Sequence, residues 1–477
     1  MKRIMAFVLS LTFGFVISMT AFSTVCHAAS ETYTWEYDEN GEGVIIAGND
    51  DFVGDVVIPS YIYADDGTKY EVTGIASNAF LGCSELTSVT IPEGVIEIGT
   101  AAFANCKGLA SVTIPDSVTL IGDDAFSSCS GLTSLTISDG VTSIGGHAFH
   151  NCTGLTSVTM GRNLASIGGY AFYGCSKLTS MIIETIDGEF LFEGFLEVTS
   201  LIIGSDVANI SGEYFAYFSG LTQIEVDKNN TQYCSIDGVL FDIDKTSLIH
   251  CPAGLSGSYI IPESVTSIGN SAFEGCGELT TITIPDSVTS IGEKAFASCS
   301  ALSGATIPDS VTSIGKSAFA SCTSLTSAAF PEGMTLIGEY VYSGCTGLTS
   351  VTIPDGVTHI GDFAFGNCSA LTSVTIPDRV TDIGKRAFFN CTALESIYFY
   401  GNAPTVGEFA FYKLSDKATI YYPFYRTGFT SLWQEYPTES FIPTATYIWA
   451  GIILTVLIGG GMTLIIRRKK KKAKTPQ

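Results

Sequence analysis

Ile284-Pro-Asp-Ser-Val-Thr-Ser-Ile-Gly-Glu-Lys-Ala-Phe-Ala-Ser-Cys-Ser-Ala-Leu302 is the stretch that decides the fold. Its cysteine, Cys299, stands on a 23-residue ruler with Cys276, Cys322, Cys345, Cys368 and Cys391. Upstream, Cys83, Cys106, Cys129, Cys152 and Cys175 form a second run with the same period, so the ruler holds 11 of the 14 cysteines. A fixed period of this length marks a solenoid, in which each short unit stacks on the next.

Working outward from the cysteine, an aromatic stands three residues before it, from Phe80 and Phe103 through Tyr342 to Phe388. A glycine stands seven before, from Gly99 to Gly384, with Ala76 as an exception. A leucine follows at plus three, then apolar residues at plus six and plus eight, and often a proline, as in Leu348, Val351, Ile353 and Pro354. In the gap between the runs, Phe192 with Phe195 and Phe215 with Phe218 hold the aromatic and cysteine places; Phe411 and Leu414 do so once more near the end. The shared requirement is steric: an apolar knob at the cysteine place.

Each unit predicts a strand, a turn, a second extended piece and a short helical turn. Leu-Thr-Ser-Val-Thr-Ile alternates at period two, as a half-buried strand does. The proline ends ladder pairing, Val118 and Ile121 turn a second apolar stripe inward, and glycine eases the next corner. Ala-Phe-x-x-Cys places Phe and Cys on one face of a helical turn. No unit buries its apolar face alone, so stability is a sum over neighbours. The expected fold class is a mainly β repeat solenoid of about 13 units with parallel strands, short helical turns and β-rich caps, plus one C-terminal transmembrane helix.

The core Leu-x-x-Val-x-Ile resembles that of leucine-rich repeats, although Gly94, Ser117, Gly140 and Ser287 stand where an asparagine ladder would run. The unit at 284–302 resembles the BspA-type (Treponema pallidum-like) leucine-rich repeat family, and the likeness covers about residues 55–440. That resemblance implies a surface protein that attaches to host extracellular proteins, to host cells or to other microbial surfaces; an uncharged hydroxyl surface on its strands suits glycans or an extended polypeptide, and a non-specific structural spacer of the cell envelope is the alternative reading.

The expected organisation is a signal peptide at 1–29, an N-terminal β cap at 30–75, a first repeat block at 76–226 and a β-hairpin insertion at 227–260. A second block at 261–414, a C-terminal cap at 415–446, a transmembrane helix at 447–466 and a basic cytoplasmic tail at 467–477 follow. Lys2 and Arg3, an apolar run and Cys26-His27-Ala28-Ala29 have the order of a secretory leader. Tyr447 to Ile466 carries no charge and is followed at once by Arg467, Arg468 and Lys469, which predicts a single-pass protein with its repeats outside. Ile442-Pro443-Thr444-Ala445-Thr446 is the nearest match to the Leu-Pro-x-Thr-Gly signal of sortase substrates and differs at both residues flanking the scissile bond, so wall attachment is a second reading. The insertion is expected as one hairpin, with strands Tyr233–Phe241 and Ser247–His250 around Asp242-Ile243-Asp244-Lys245.

All 47 acidic residues lie between 31 and 439, against 14 basic ones, a balance of about −33 that argues against nucleic-acid binding. No Cys-x-x-Cys or zinc-protease motif is present. The ruler cysteines are read as buried free thiols, with a disulfide between Cys234 and Cys251 left open. His147 and His150 are read as surface residues. No catalytic residue, metal site or cofactor is expected. The candidate ligand face is a ladder of outward strand hydroxyls: Ser88 and Thr90, Ser111 and Thr113, Ser134 and Thr136, Ser157 and Thr159, Thr281 and Thr283, Ser350 and Thr352, Ser373 and Thr375. Gln223 and Glu225 interrupt it beside the insertion and mark a second candidate patch.

Overall fold

The computed structural model describes residues 26–28, 31–37, 43–46, 52–64, 66–184, 195, 197–215 and 218–441. They form a β-solenoid of about 15 coils. Each regular coil has three walls. The first wall carries strands such as Ser134–Thr136, Ser157–Met160 and Ser180–Ile183, paired in parallel and in register. The second carries two-residue strands such as Glu97–Ile98, Leu120–Ile121 and Ser143–Ile144, also parallel. The third runs from the glycine to the cysteine and is built of turns.

On this third wall the sequence expectation needs correction. The Ala-Phe-x-x-Cys segments are not helical turns. Two residues per coil, five and one before the cysteine, have positive φ: Ala101 and Asn105, Asp124 and Ser128, Lys294 and Ser298, Arg386 and Asn390. A left-handed residue every fourth position forbids a right-handed helix. The amides instead alternate between two acceptors. Cys106 N–H donates to Phe103 O within the coil (3.2 Å), while Phe103 and Asn105 donate to Ala125 O and Ser127 O of the next coil (both 2.7 Å). Bonds between coils thus replace the i→i−4 bonds of a helix and hold residues as bulky as Tyr340 and Phe363 at positive φ. Phe and Cys still share the inward face, as the spacing of three implies.

The glycine column is also explained differently. None of Gly122, Gly292, Gly315 or Gly384 has positive φ. A Cβ on Gly292 would stand 2.6 Å from the backbone N of Asn270 and C of Gly269. Glycine is there because successive coils touch backbone to backbone at this corner.

Inside, the aromatics stack along the axis: Phe80, Phe103, Phe126, Phe149 and Phe172 at centroid spacings of 4.9 to 5.3 Å, and Phe273, Phe296, Phe319 and Tyr342 at 4.9 to 5.2 Å. Such near-parallel pairs add to area burial. The cysteines do more than fill space. Cys106 Sγ donates to Phe80 O (3.0 Å), Cys299 Sγ to Phe273 O (3.1 Å) and Cys391 Sγ to Phe365 O (3.2 Å), always one coil back. All thirteen described cysteines other than those at the leader are free thiols, Cys234 and Cys251 included. Burial pushes the Cys391 thiol up to about 12 and Cys368 well above its ordinary value, so these groups stay protonated donors.

At the amino end, Trp35–Tyr37 pairs antiparallel with Gly43–Ile46, which joins the second wall beside Lys69–Ile75. Gly54–Val57 is already a rung of the first wall, parallel to Leu86–Thr90. At the carboxyl end, Thr419–Pro423 and Tyr436–Phe441 extend the first wall. These coils lack the ruler, which is why more coils exist than the sequence pattern counts.

The insertion holds two hairpins rather than one. Tyr233–Ile236, Val239–Asp242 and Ser247–His250 form an antiparallel meander. The expected strand 233–241 breaks at Asp237 and Gly238, both at positive φ; Asp-Gly is the strongest short hairpin pattern and was the overlooked clue. The second turn is closed by Asp242, whose carboxylate accepts from Thr246 N, Thr246 Oγ1 and Ser247 N at 2.7 to 2.8 Å. Val239, Leu240 and Phe241 are all fully buried; Leu240 packs into the amino-terminal core, and Val239 and Phe241 into the carboxy-terminal one. The middle strand is a septum between two hydrophobic cores.

The expected transmembrane helix is corrected as part of the fold class: among the described residues no helix is long and apolar enough to cross a membrane. The span expected at 447–466, the tail at 467–477, the Ile442–Thr446 motif, most of the leader and Phe192 lie outside the described residues.

Candidate ligand-binding face

The first wall positions the predicted hydroxyls. Strand alternation sends Val89, Leu135, Val158 and Val374 inward and their neighbours outward. Thr90, Thr113, Thr136, Thr283, Thr352 and Thr375 are exposed, as are Ser111, Ser134, Thr281, Ser350 and Ser373; Ser88, Ser157 and Thr159 are half-buried. In-register pairing aligns Ser111 with Ser88 and Thr113 with Thr90, and aligns Ser157 and Thr159 with Ser134 and Thr136. Within each paired run of strands the side chains therefore repeat at the strand spacing, about 4.8 Å.

These hydroxyls differ from other threonines on the molecule. Thr156 Oγ1 donates to Thr133 O (3.0 Å) and Thr349 Oγ1 to Thr326 O (2.9 Å), just before the first-wall strands. Thr142 and Thr289 do the same before the second wall, to Thr119 O (3.1 Å) and Thr266 O (3.2 Å). Those columns are stitched into the scaffold. By contrast, among the described residues the hydroxyls of Thr113, Thr136, Thr159, Thr283, Thr352 and Thr375 make no hydrogen bond within the chain. Ser88 is an exception: with Thr87 it donates to Asp55 Oδ1 (2.6 and 2.8 Å), which lowers the Asp55 carboxyl.

Gln223 and Glu225 also face out. Gln223 Nε2 donates to Ser200 Oγ (3.1 Å) and to Glu225 Oε1 (3.3 Å). The first hairpin turn reaches this patch: Ile224 N–H donates to Gly238 O (2.9 Å). The strand-face ladder and the insertion thus meet here.

Other polar clusters carry less. Thr358 Oγ1 lies 2.8 Å from His359 Nδ1, and His359 Nε2 lies 3.3 Å from Asp382 Oδ2. This resembles a hydroxyl–imidazole–carboxylate relay, but Thr358 gives its proton to Thr335 O (3.2 Å). That bond is the same one the other threonines of its column make to the preceding coil. His147 and His150 pack edge to face at 5.2 Å and stack on Tyr170 and Tyr173 on the turn wall. Among the described residues no group of three or more metal-ligating side chains converges.

The coil geometry matches known proteins. A model described as the BspA-type leucine-rich repeat region matches residues 73–187, 164–242, 242–368 and 324–430. The chain belongs to the BspA-type leucine-rich repeat family. Among solved structures, a leucine-rich repeat protein from Bacteroides ovatus is 27% identical with a TM-score of 0.50, over 87% of this chain and 99% of that one. A leucine-rich repeat protein from Eubacterium ventriosum is 26% identical with a TM-score of 0.52, over 85% and 98%. A leucine-rich cell surface protein from Faecalibacterium prausnitzii is 30% identical with a TM-score of 0.46, over 80% and 96%. No curated protein matches the chain.

Proposed function

We propose that this protein is an exported adhesin that binds extracellular proteins, glycans or other microbial surfaces through the first wall of its solenoid. One observation carries this reading: among the described residues the outward hydroxyls of Thr113, Thr136, Thr159, Thr283, Thr352 and Thr375 have no partner in the chain, while neighbouring threonine columns do. An array of uncharged donors and acceptors on a rigid sheet binds with little ordering cost, by many weak contacts. The leader pattern of residues 1–29 supports export, and the acidic balance favours neutral or cationic partners over nucleic acid.

The test is saturable binding of the purified full-length chain to a panel of matrix proteins, cell surfaces and glycans. A variant with Thr113, Thr136, Thr283 and Thr352 changed to Val keeps its fold and loses at least ten-fold in affinity. Equal binding by the variant and the parent removes the first wall as the ligand face.

A further inference from the structure

The hydroxyl ladder does not end in solvent. In the penultimate coils its outward threonine is replaced, first by Tyr398 and then by Tyr421. Register pairing places Tyr398 in line with Thr375, and Tyr421 in line with Tyr398. The two rings stack at 4.9 Å with an interplanar angle of 18°. Phe441 stands edge-on to Tyr398 at 6.3 Å. Because Tyr421 covers one face of the Tyr398 ring, the other face looks back along the ladder, across Thr375 and Thr352. That corner joins an apolar ring wall to a floor of unpaired hydroxyls.

On this observation, and resting on the proposed binding role of the first wall, we infer that Tyr398, Ser373, Thr375 and Thr352 form a subsite for one hexopyranose unit of a neutral glycan. A pyranose has two kinds of surface. Its C–H face is apolar and packs on an aromatic ring. Its equatorial hydroxyls donate and accept in the ring plane, and a threonine hydroxyl can answer either way. One ring spans roughly one coil step of about 4.8 Å, whereas an extended peptide advances about 3.3 Å per residue and drifts out of step. The strand that carries Tyr398 is paired on both sides, so a peptide has no ladder to join there. Charge points the same way: Thr352, Ser373, Thr375 and Tyr398 are uncharged on a chain of net charge −24. An acidic sugar would be repelled by that balance and by exposed Glu439, which stands in line with Tyr421.

Titration calorimetry of the full-length chain with soluble neutral hexasaccharides of glucose, N-acetylglucosamine, mannose and xylose tests this. At least one is expected to bind, Tyr398→Ala to weaken it ten-fold or more, and Thr375→Val several-fold. Tyr398→Phe retains binding, because the ring face and not the phenol makes the contact. Thr142→Val, in the scaffold column before the second wall, leaves hexasaccharide affinity unchanged. Thermal melts of each variant confirm folding. Absence of binding by all four sugars overturns the inference, and so does binding that Tyr398→Ala leaves intact. If a matrix protein instead binds and is lost in the Thr113, Thr136, Thr283 and Thr352 variant, the wall remains the ligand face and only the sugar subsite fails.

Discussion

The coils of the second block and the insertion at 227–260 handle the same task, burying a polypeptide against its neighbour, in opposite ways. A regular coil such as the one around Phe296 and Cys299 pairs its buried groups by repetition. The ring stacks on the previous ring, the thiol bonds the previous carbonyl, and the glycine admits the previous backbone. The insertion cannot use that rule, since its spacing to the next coil is 20 residues: Ser247 aligns with Ser267 and Leu248 with Ile268. It relies on particular residues instead. Among the described residues the three buried polar side chains, Asn230, His250 and Ser271, all lie at this seam. Asn230 is satisfied four times over: Nδ2 donates to Gly204 O and Val207 O, and Oδ1 accepts from Gln232 N and Tyr233 N. His250 stacks on Phe215 at 4.5 Å, yet its Nδ1, like Ser271 Oγ, has no hydrogen-bond partner. Periodic packing repeats one set of contacts from coil to coil; the seam depends on particular residues, two of them with an unpartnered buried polar atom.

The contrast breaks most sharply inside a regular coil. Phe296→Ala removes one ring from a continuous stack and should cost about 3–5 kcal/mol, read as a fall in the denaturation midpoint. Gly292→Ala should cost about 3 kcal/mol, near the top of the overpacking range, because the new methyl meets backbone rather than a movable side chain. Gly304→Ala is its control. Nothing lies within 4 Å of a Cβ there, and its midpoint should not move.

The seam should fail first in acid. Burial drives His250 from its ordinary value of 6.5 to about 3. The folded state therefore holds the neutral ring, and this contribution is complete above the unfolded pKa near 6.5. It is lost as pH falls from there toward 3, reaching about 2 kcal/mol of lost stability at pH 5. Hydrogen exchange at pH 5 should open residues 233–271 before the regular coils, and His250→Phe should abolish the difference. Uniform exchange along the solenoid would refute the assignment of the weak point to His250.

The smallest effect separates two kinds of threonine. Thr349→Val loses a bond to Thr326 O and should cost about 0.5–1 kcal/mol. Thr352→Val loses none and should stay within about 0.5 kcal/mol of the parent, while changing ligand affinity.

Much of the coil was legible in advance because its apolar spacing has few solutions. Phe, Cys, Leu, Val and Ile at fixed offsets can share one interior only if the coils stack in register. The orientation of Ser134, Thr136 and their equivalents followed from strand alternation. The helical turn was misread because a spacing of three suits both a helix and a run of left-handed turns, and the Asn and Gly residues one before the cysteine were the unused clue. At five before the cysteine, Ala101, Tyr340 and Arg386 give no such clue. Cys251 does stand off the 23-residue ruler; what the stacked coils added is that its carbonyl oxygen and that of Pro252 each lie 3.6 Å from Cys276 Sγ, taking the role that Phe273 O has for Cys299.

Period, interior and family were set by the order of residues, since a 23-residue repeat of apolar positions is a property of the chain itself. Which hydroxyls are tied up and which are left over was decided only when the coils came together. Thr349 and Thr352 are the same residue three apart; one reaches the carbonyl of the preceding coil and the other reaches solvent, and only the stacked neighbour makes that distinction.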